Sequence, residues 1–221
     1  MKRIAIIPAR GGSKRFPGKN LATLNGASLL EHSIRYAQVN SGLIDKILVS
    51  SDDEDILNHA LQLGADILKR PEELSGDTVS TAAVLQHVLA EQEETFDDVI
   101  LLQPTNPLRP TELLQQGLES YEKSGSKSLM TVGRSHRKFG RIRHGEFKPV
   151  NYEFGQRSQD MENLYFECGL LYITHSELIK QGKIFGENPF PLVVDHPFAS
   201  IDIDLPEDMI KAEFYAKKYS E

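Results

Sequence analysis

The chain holds a single cysteine in 221 residues, Cys168, so no disulfide can form within it. Its seven histidines have no second cysteine to join, which leaves no zinc-type ligand set. A cytoplasmic setting is expected. No apolar run approaches the roughly 20 residues that a bilayer-spanning helix needs. The charged start, Met1-Lys2-Arg3, leads into only four apolar residues before Pro8, so neither a signal peptide nor a membrane anchor is expected. Positive charge is also in short supply. A formal charge of -7 and a pI near 5.6 argue against a general nucleic-acid binder, which should carry a broad basic face. There is no internal repeat, no low-complexity linker and no G-x-S-x-G elbow, and Cys168 has no His beside it, so a Ser or Cys hydrolase has no support.

What remains is ordinary globular composition: 39% hydrophobic, 26% charged, mean hydropathy -0.36. The length suits one large domain, or one domain with a smaller lobe, and can bury a core unaided. Apolar β-prone runs alternate with helical patterns. Strands are predicted near 3–9, 46–50, 99–102, 128–132 and 170–173, with a return to the sheet near Ile201. Helices are predicted near 27–39, 53–63, 79–93, 111–124, 175–181 and 206–218. The helix near 53–63 is expected to start at Ser51, with Glu54 completing a capping box, and to stop at Gly64. Short apolar strands between helices indicate an α/β fold, a Rossmann-like, mostly parallel sheet with helices on both faces. From Gly133 to about Asp160 the periodicity breaks, and a small β-rich lobe is expected there.

The segment Ile6 to Asn20, IIPARGGSKRFPGKN, carries the most chemistry. An apolar strand feeds a loop holding Arg10, Gly11, Gly12, Ser13, Lys14, Arg15, Gly18 and Lys19. Glycines let backbone approach a bulky anion, and the cations neutralise phosphate, so a nucleoside triphosphate is the expected ligand. It is not a Walker loop, because Ser13 stands where the first glycine belongs and Asn20 where Ser or Thr belongs. Nor do glycines at 11, 12 and 18 fit the dinucleotide fingerprint.

In open α/β sheets ligands sit beyond the carboxyl ends of the strands. Gln103-Pro104-Thr105-Asn106-Pro107-Leu108-Arg109 and Asp202-Ile203-Asp204 also lie in that position. Alternation along an extended segment puts Asp202 and Asp204 on one side and Ile203 toward the core. A carboxylate pair of this kind suits Mg²⁺ with substrate phosphates, while Asp208 reads as part of a helix start. Arg70 with the hydroxyls of Thr78, Ser80 and Thr81 surrounds a further helix start. His136, Arg137, Lys138, Arg141 and Arg143 form a basic cluster on a largely solvated face, and Arg157 offers a bidentate partner for a substrate carboxylate.

Taken together, the opening segment, RPEELSGDTVST at 70–81, LLQPTNPLR at 101–109, RSQD at 157–160, GLLYI at 169–173 and SIDIDLPED at 200–208 resemble the CMP-N-acylneuraminate synthetases, or acylneuraminate cytidylyltransferases, along the whole chain. The resemblance implies that Arg10, Lys19 and Asn20 bind the CTP phosphates and ribose or base, with Arg70 and Thr81 completing the nucleotide site. It places Gln103 between nucleotide and sugar, Arg157 toward the sugar, and Mg²⁺ on Asp202 and Asp204. It further implies a homodimer formed through a lobe at 134–189. One departure stands out: the family usually has Asn where this chain has Cys168. The activity so implied is transfer of CMP from CTP to an acidic nine-carbon sugar, with release of pyrophosphate. The rival expectations are a 3-deoxy-octulosonate cytidylyltransferase and a non-catalytic nucleotide-binding module.

Overall fold

Ile4, Ala5, Ile6 and Ile7 are wholly buried, and they alternate between two cores. Ala5 and Ile7 join one apolar cluster, Ile4 and Ile6 the other. A strand buried on both sides must sit inside a sheet covered on both faces, and the computed structural model, which describes residues 1–219, has that architecture. In chain order its elements are β1 (Arg3–Pro8), β2 (Thr23–Leu24), β3 (Ala27–Ser28), α1 (Leu29–Val39), β4 (Lys46–Ser51), α2 (Glu54–Gln62), β5 (Asp66–Lys69), α3 (Thr81–Ala90), β6 (Asp98–Leu101), α4 (Leu113–Ser124), β7 (Ser128–Ser135), β8 (Gly140–Arg143), β9 (Glu146–Pro149), β10 (Leu164–His175), α5 (Ser176–Lys180), β11 (Phe190–Val193) and α6 (Pro206–Tyr219).

The main sheet has seven strands in the order β11-β7-β10-β6-β1-β4-β5. Among them β10 alone runs against its neighbours. Helices α1, α2 and α4 cover one face through Leu30, Ile34, Ile56, Ala60, Leu114 and Leu118. Helices α3 and α5 cover the other through Leu85, Val88 and Ile179. Each fully buried Leu or Ile contributes about 2 kcal/mol by leaving water. The Rossmann-like, mostly parallel sheet expected from the sequence is therefore present.

Several local expectations change. Ser51 does not cap α2, because β4 continues through it. Asp53 does so instead, its carboxylate accepting from the backbone N–H groups of Asp55 and Ile56 at 2.9 and 3.1 Å. Gly64 ends that helix as expected, with φ at +78°. Residues 201–204 do not rejoin the sheet. Two hydrogen bonds hold them to the loop after β6: Ile203 N–H donates to the Thr105 carbonyl at 2.8 Å, and Asn106 Nδ2 donates to the Ile201 carbonyl at 2.8 Å. Of the segment 134–189, β10 and α5 belong to the main body. The part that stands clear is the β8–β9 hairpin and the turns from 150 to 163.

Candidate active site

Three loops meet at the carboxyl ends of β1, β5 and β6, and they enclose a cleft of about 290 Å³. The loop after β1 supplies Arg10, Ser13, Lys14, Arg15, Lys19 and Asn20 to its walls. Asn20 is buried and its Nδ2 donates to the Arg10 carbonyl at 2.8 Å, which ties the two ends of this loop together. Asn20 thus both shapes the cleft and faces it. Gly11 and Gly12 do not line it. Gly11 N–H is taken by the Asp52 carboxylate at 3.1 Å, and a Cβ there would lie 2.5 Å from Asp53 Oδ2. Its glycine serves close approach to the turn between β4 and α2, a role different from the amide cradle expected.

The cations of this loop are held by two carboxylates. Asp77 receives Arg10 at 2.8 Å and Lys14 at 2.5 Å; Asp204 receives Lys19 at 2.9 Å and Arg15 at 2.7 Å. The hydrogen bond from Lys14, then that from Arg10, keeps the Asp77 carboxyl below its usual range. For Asp204 burial pushes upward, but Lys19 and Arg15 outweigh it and the carboxyl also stays low. The N-terminal cations and Asp204 of the late acidic pair therefore meet in space as expected, although residues 201–204 reach the cleft along the loop after β6 and not from a strand.

Arg70 enters the cleft from the end of β5 with only 5% of its surface exposed. Its guanidinium donates to the Ser50 carbonyl at 2.7 Å, to Ser50 Oγ at 3.3 Å and to the Leu74 carbonyl at 3.4 Å. No carboxylate pairs with it among the described residues, and burial lowers its pKa. The charge of Asp52 offsets this only in part, and a buried cation hydrogen-bonded only to neutral oxygens is costly, so Arg70 keeps positive charge to offer the cleft. Next to it Ser80 caps α3, its Oγ accepting from Ala83 N–H at 3.2 Å, while Thr81 lines the cleft.

A second cavity of about 330 Å³ adjoins the first, and Gln103, Thr105 and Asp204 line both. Its other walls include Asn106, Glu167, Cys168, Gly169, Tyr172 and Asp202. Gln103 so stands between two compartments. Ile203 is fully buried, which leaves Asp202 and Asp204 projecting as the alternation predicted. Burial first, and then the charge of Asp204, raises the pKa of Asp202. Asp208 belongs to the start of α6, its carboxylate accepting from Asp204 and Leu205 N–H at 2.9 and 2.8 Å.

Two buried polar residues hold this junction together, and sequence reasoning assigned neither a role. Asn106 Nδ2 donates to the carbonyls of both Cys168 and Ile201, at 3.1 and 2.8 Å. Arg109 donates to the Leu170 and Gln103 carbonyls, each at 2.7 Å, and to Ser33 Oγ at 3.1 Å. Burial lowers its pKa to about 10, so it is still cationic at neutral pH. The signal for both was their place in the proline-stiffened loop after β6, on the side of the sheet where ligands sit. Gly169, at φ +70°, completes the junction: a Cβ there would lie 2.7 Å from Asn106 Oδ1 and 3.2 Å from Gln103 Oε1. Cys168 lines the second cavity, and burial pushes its thiol pKa up. Arg157 lines neither cavity; it is exposed and pairs with Asp160 at 2.8 Å.

Set against known proteins, residues 4–213 match the family model described as Cytidylyltransferase. A pseudaminic acid cytidylyltransferase of Campylobacter jejuni is 34% identical, over 98% of this chain and 97% of its own length. A CMP-N,N'-diacetyllegionaminic acid synthase of Legionella pneumophila is 34% identical, over 96% of this chain and 95% of its own. Among solved structures, a CMP:2-keto-3-deoxy-manno-octonic acid synthetase complexed with CTP covers 99% of both chains with a TM-score of 0.73. Its 17% identity speaks for a shared fold alone.

Proposed function

Because this chain belongs to the cytidylyltransferase family, we propose that it transfers CMP from CTP to the anomeric hydroxyl of a sialic-acid-like nine-carbon acid. The sugar oxygen forms a bond to the α-phosphorus and gives its proton up to solvent, the bond from that phosphorus to the bridging oxygen breaks, and pyrophosphate leaves. The observation that carries the reading is the junction of two cavities at Gln103, Thr105 and Asp204, one rich in cations and the other lined by none. CTP occupies the first. Arg10, Lys14, Arg15 and Lys19 exchange their carboxylate partners for phosphate oxygens and stabilise the charge that builds on the leaving group. Arg70 and Thr81 hold the base or ribose, and Gln103 aligns the nucleotide with the sugar in the second cavity. Arg157 remains assigned to the sugar side.

The donor set fits Mg²⁺. Among the described residues no three His, Cys, Asp or Glu side chains are arranged to hold a metal ion by themselves, but Mg²⁺ takes one or two carboxylates together with waters and phosphates. The burial and mutual repulsion of Asp202 and Asp204 are what a divalent cation would relieve. Bound there, it would polarise phosphate oxygens as a Lewis acid.

Exposed apolar side chains on the hairpin lobe, with Ile142 at 76% and Phe154 at 74%, support a homodimer formed through that lobe. A cytoplasmic setting agrees with a lone, buried thiol, and among the described residues no helix is long and apolar enough to cross a membrane. The deciding experiment incubates the protein with CTP, Mg²⁺ and a panel of nonulosonic acids, and identifies the product by mass. A CMP-nonulosonate supports the reading. Turnover of 3-deoxy-octulosonic acid alone favours the shorter-sugar alternative, and CTP binding without turnover favours the non-catalytic one.

A further inference from the structure

Three carboxylates line the second cavity, Glu167, Asp202 and Asp204, and no Lys, Arg or His joins them there. Asp204 has Lys19 and Arg15 as counter-ions, and Asp202 is placed above toward a cation. Glu167 has neither: among the described residues its one side-chain partner is Tyr172, whose hydroxyl donates to Glu167 Oε1 at 2.6 Å. Burial, and then Glu167 itself, pushes the Tyr172 phenol far above its usual pKa, so it stays a donor.

The position of Glu167 is built. In β10, Leu164–Glu167 pair with Val132–Ser135, the pairing then slips, and it resumes at Tyr172 opposite Met130. Glu167 is the last regular position before this bulge, and bulges re-aim side chains beside sites. An ionised carboxylate accepts hydrogen bonds and cannot donate them. It repels the carboxylate of an acidic sugar, so the part of the sugar facing it must be a donor.

Resting on the function proposed above, we propose that Glu167, held by Tyr172, accepts a hydrogen bond from the amide N–H of an acylamino group on the sugar, and so selects N-acylated nonulosonic acids over nitrogen-free octulosonic acids. A sugar hydroxyl both donates and accepts, and it can turn to another partner. An amide N–H can only donate, and leaving it unpaired in a cavity is penalised. A fixed acceptor-only group therefore discriminates most sharply for the amide.

The test compares wild type, Glu167→Ala and Glu167→Gln with a di-N-acetylated nonulosonic acid and with 3-deoxy-octulosonic acid, by pyrophosphate release. Glu167→Ala is expected to lower kcat/KM for the N-acylated acid about tenfold or more, mainly through KM. The KM for CTP stays within about twofold, and the preference over the octulosonic acid shrinks by the same tenfold factor. Glu167→Gln falls between, because its amide oxygen still accepts. An equal loss on both acids, or an unchanged preference, overturns the assignment of Glu167 and leaves the reaction class standing. A wild type that turns over no nonulosonic acid overturns both. Should Glu167→Ala fail to fold, the preference measured for Glu167→Gln decides.

Discussion

Lys19 and Asp204 lie 185 positions apart in sequence, yet Lys19 Nζ stands 2.9 Å from Asp204 Oδ1. The pair sits where both cavities open on the same carboxylate. Replacing Asp204 with Asn leaves the shape but removes one anionic ligand for a cation, and it frees Lys19 and Arg15 for phosphate. Turnover should fall about a hundredfold or more, while the dissociation constant for CTP measured by calorimetry stays within about threefold, because a liberated cation compensates the loss of the carboxylate proposed above to hold Mg²⁺. Unchanged turnover would remove Asp204 from the reaction.

Asp77 plays the corresponding part at the other end of the loop, occupying Arg10 and Lys14. CTP must displace it to reach those cations. Asp77→Asn should therefore tighten CTP binding about three- to tenfold at low ionic strength, as expected for loss of an exposed competing charge. The advantage should fade near 0.5 M salt, where the Debye length is only about 4 Å. Weaker binding at every salt concentration would mean that Asp77 holds the loop in its binding shape instead of competing with phosphate.

Much of this arrangement was legible because it depends on local pattern. Ile4–Ile7 is a continuous apolar run ended by Pro8, and it reads as a central strand from composition alone. The cationic loop follows an apolar run, so strand direction places it at the carboxyl end of the sheet; the Asp202/Asp204 pair follows no strand and is brought there by its hydrogen bonds to the loop after β6. The elements that were missed lack such a signal. β5 is a four-residue edge strand with mostly exposed residues. β11 contains Pro191, tolerated because β11 is at the sheet edge. The reversed direction of β10 leaves no mark on its composition, and neither does the bulge that sets Glu167 in the cavity. The role of Gly11 was misread for the same reason: its neighbour Asp53 comes from another loop, and only the fold brings them together.

Gly169 links the fold to the site through backbone alone. At φ +70° it takes a conformation that side chains disfavour, and any Cβ would press on Asn106 Oδ1, the residue that joins the Cys168 and Ile201 carbonyls. Gly169→Ala should cost about 1–3 kcal/mol in chemical denaturation. It should also lower turnover by more than the folded fraction accounts for, since Gln103 Oε1 is the next atom in its way. A variant with native stability and turnover would show that the junction relaxes without cost.

Asp98 at the start of β6 gives a pH-dependent prediction remote from the cavities. It is 1% exposed, Tyr121 Oη donates to its Oδ1 at 2.9 Å, and its Oδ2 has no hydrogen-bond partner. The nearest cation is Arg3, whose Nε is also unpartnered and 3.7 Å away. Burial raises the Asp98 pKa, and the hydrogen bond from Tyr121 and the charge of Arg3 only partly offset it. An acid with a raised folded pKa contributes most while protonated, below the ordinary value of about 3.9, and its contribution shrinks as pH climbs toward the raised value. Asp98→Asn cannot titrate, and the remaining acids are common to both proteins. The Tm of Asp98→Asn minus that of wild type should therefore rise between about pH 4 and pH 7. A flat or falling difference in scanning calorimetry would mean that Arg3 holds the Asp98 carboxylate charged at a net gain, and that the pair stabilises the strand as an ion pair.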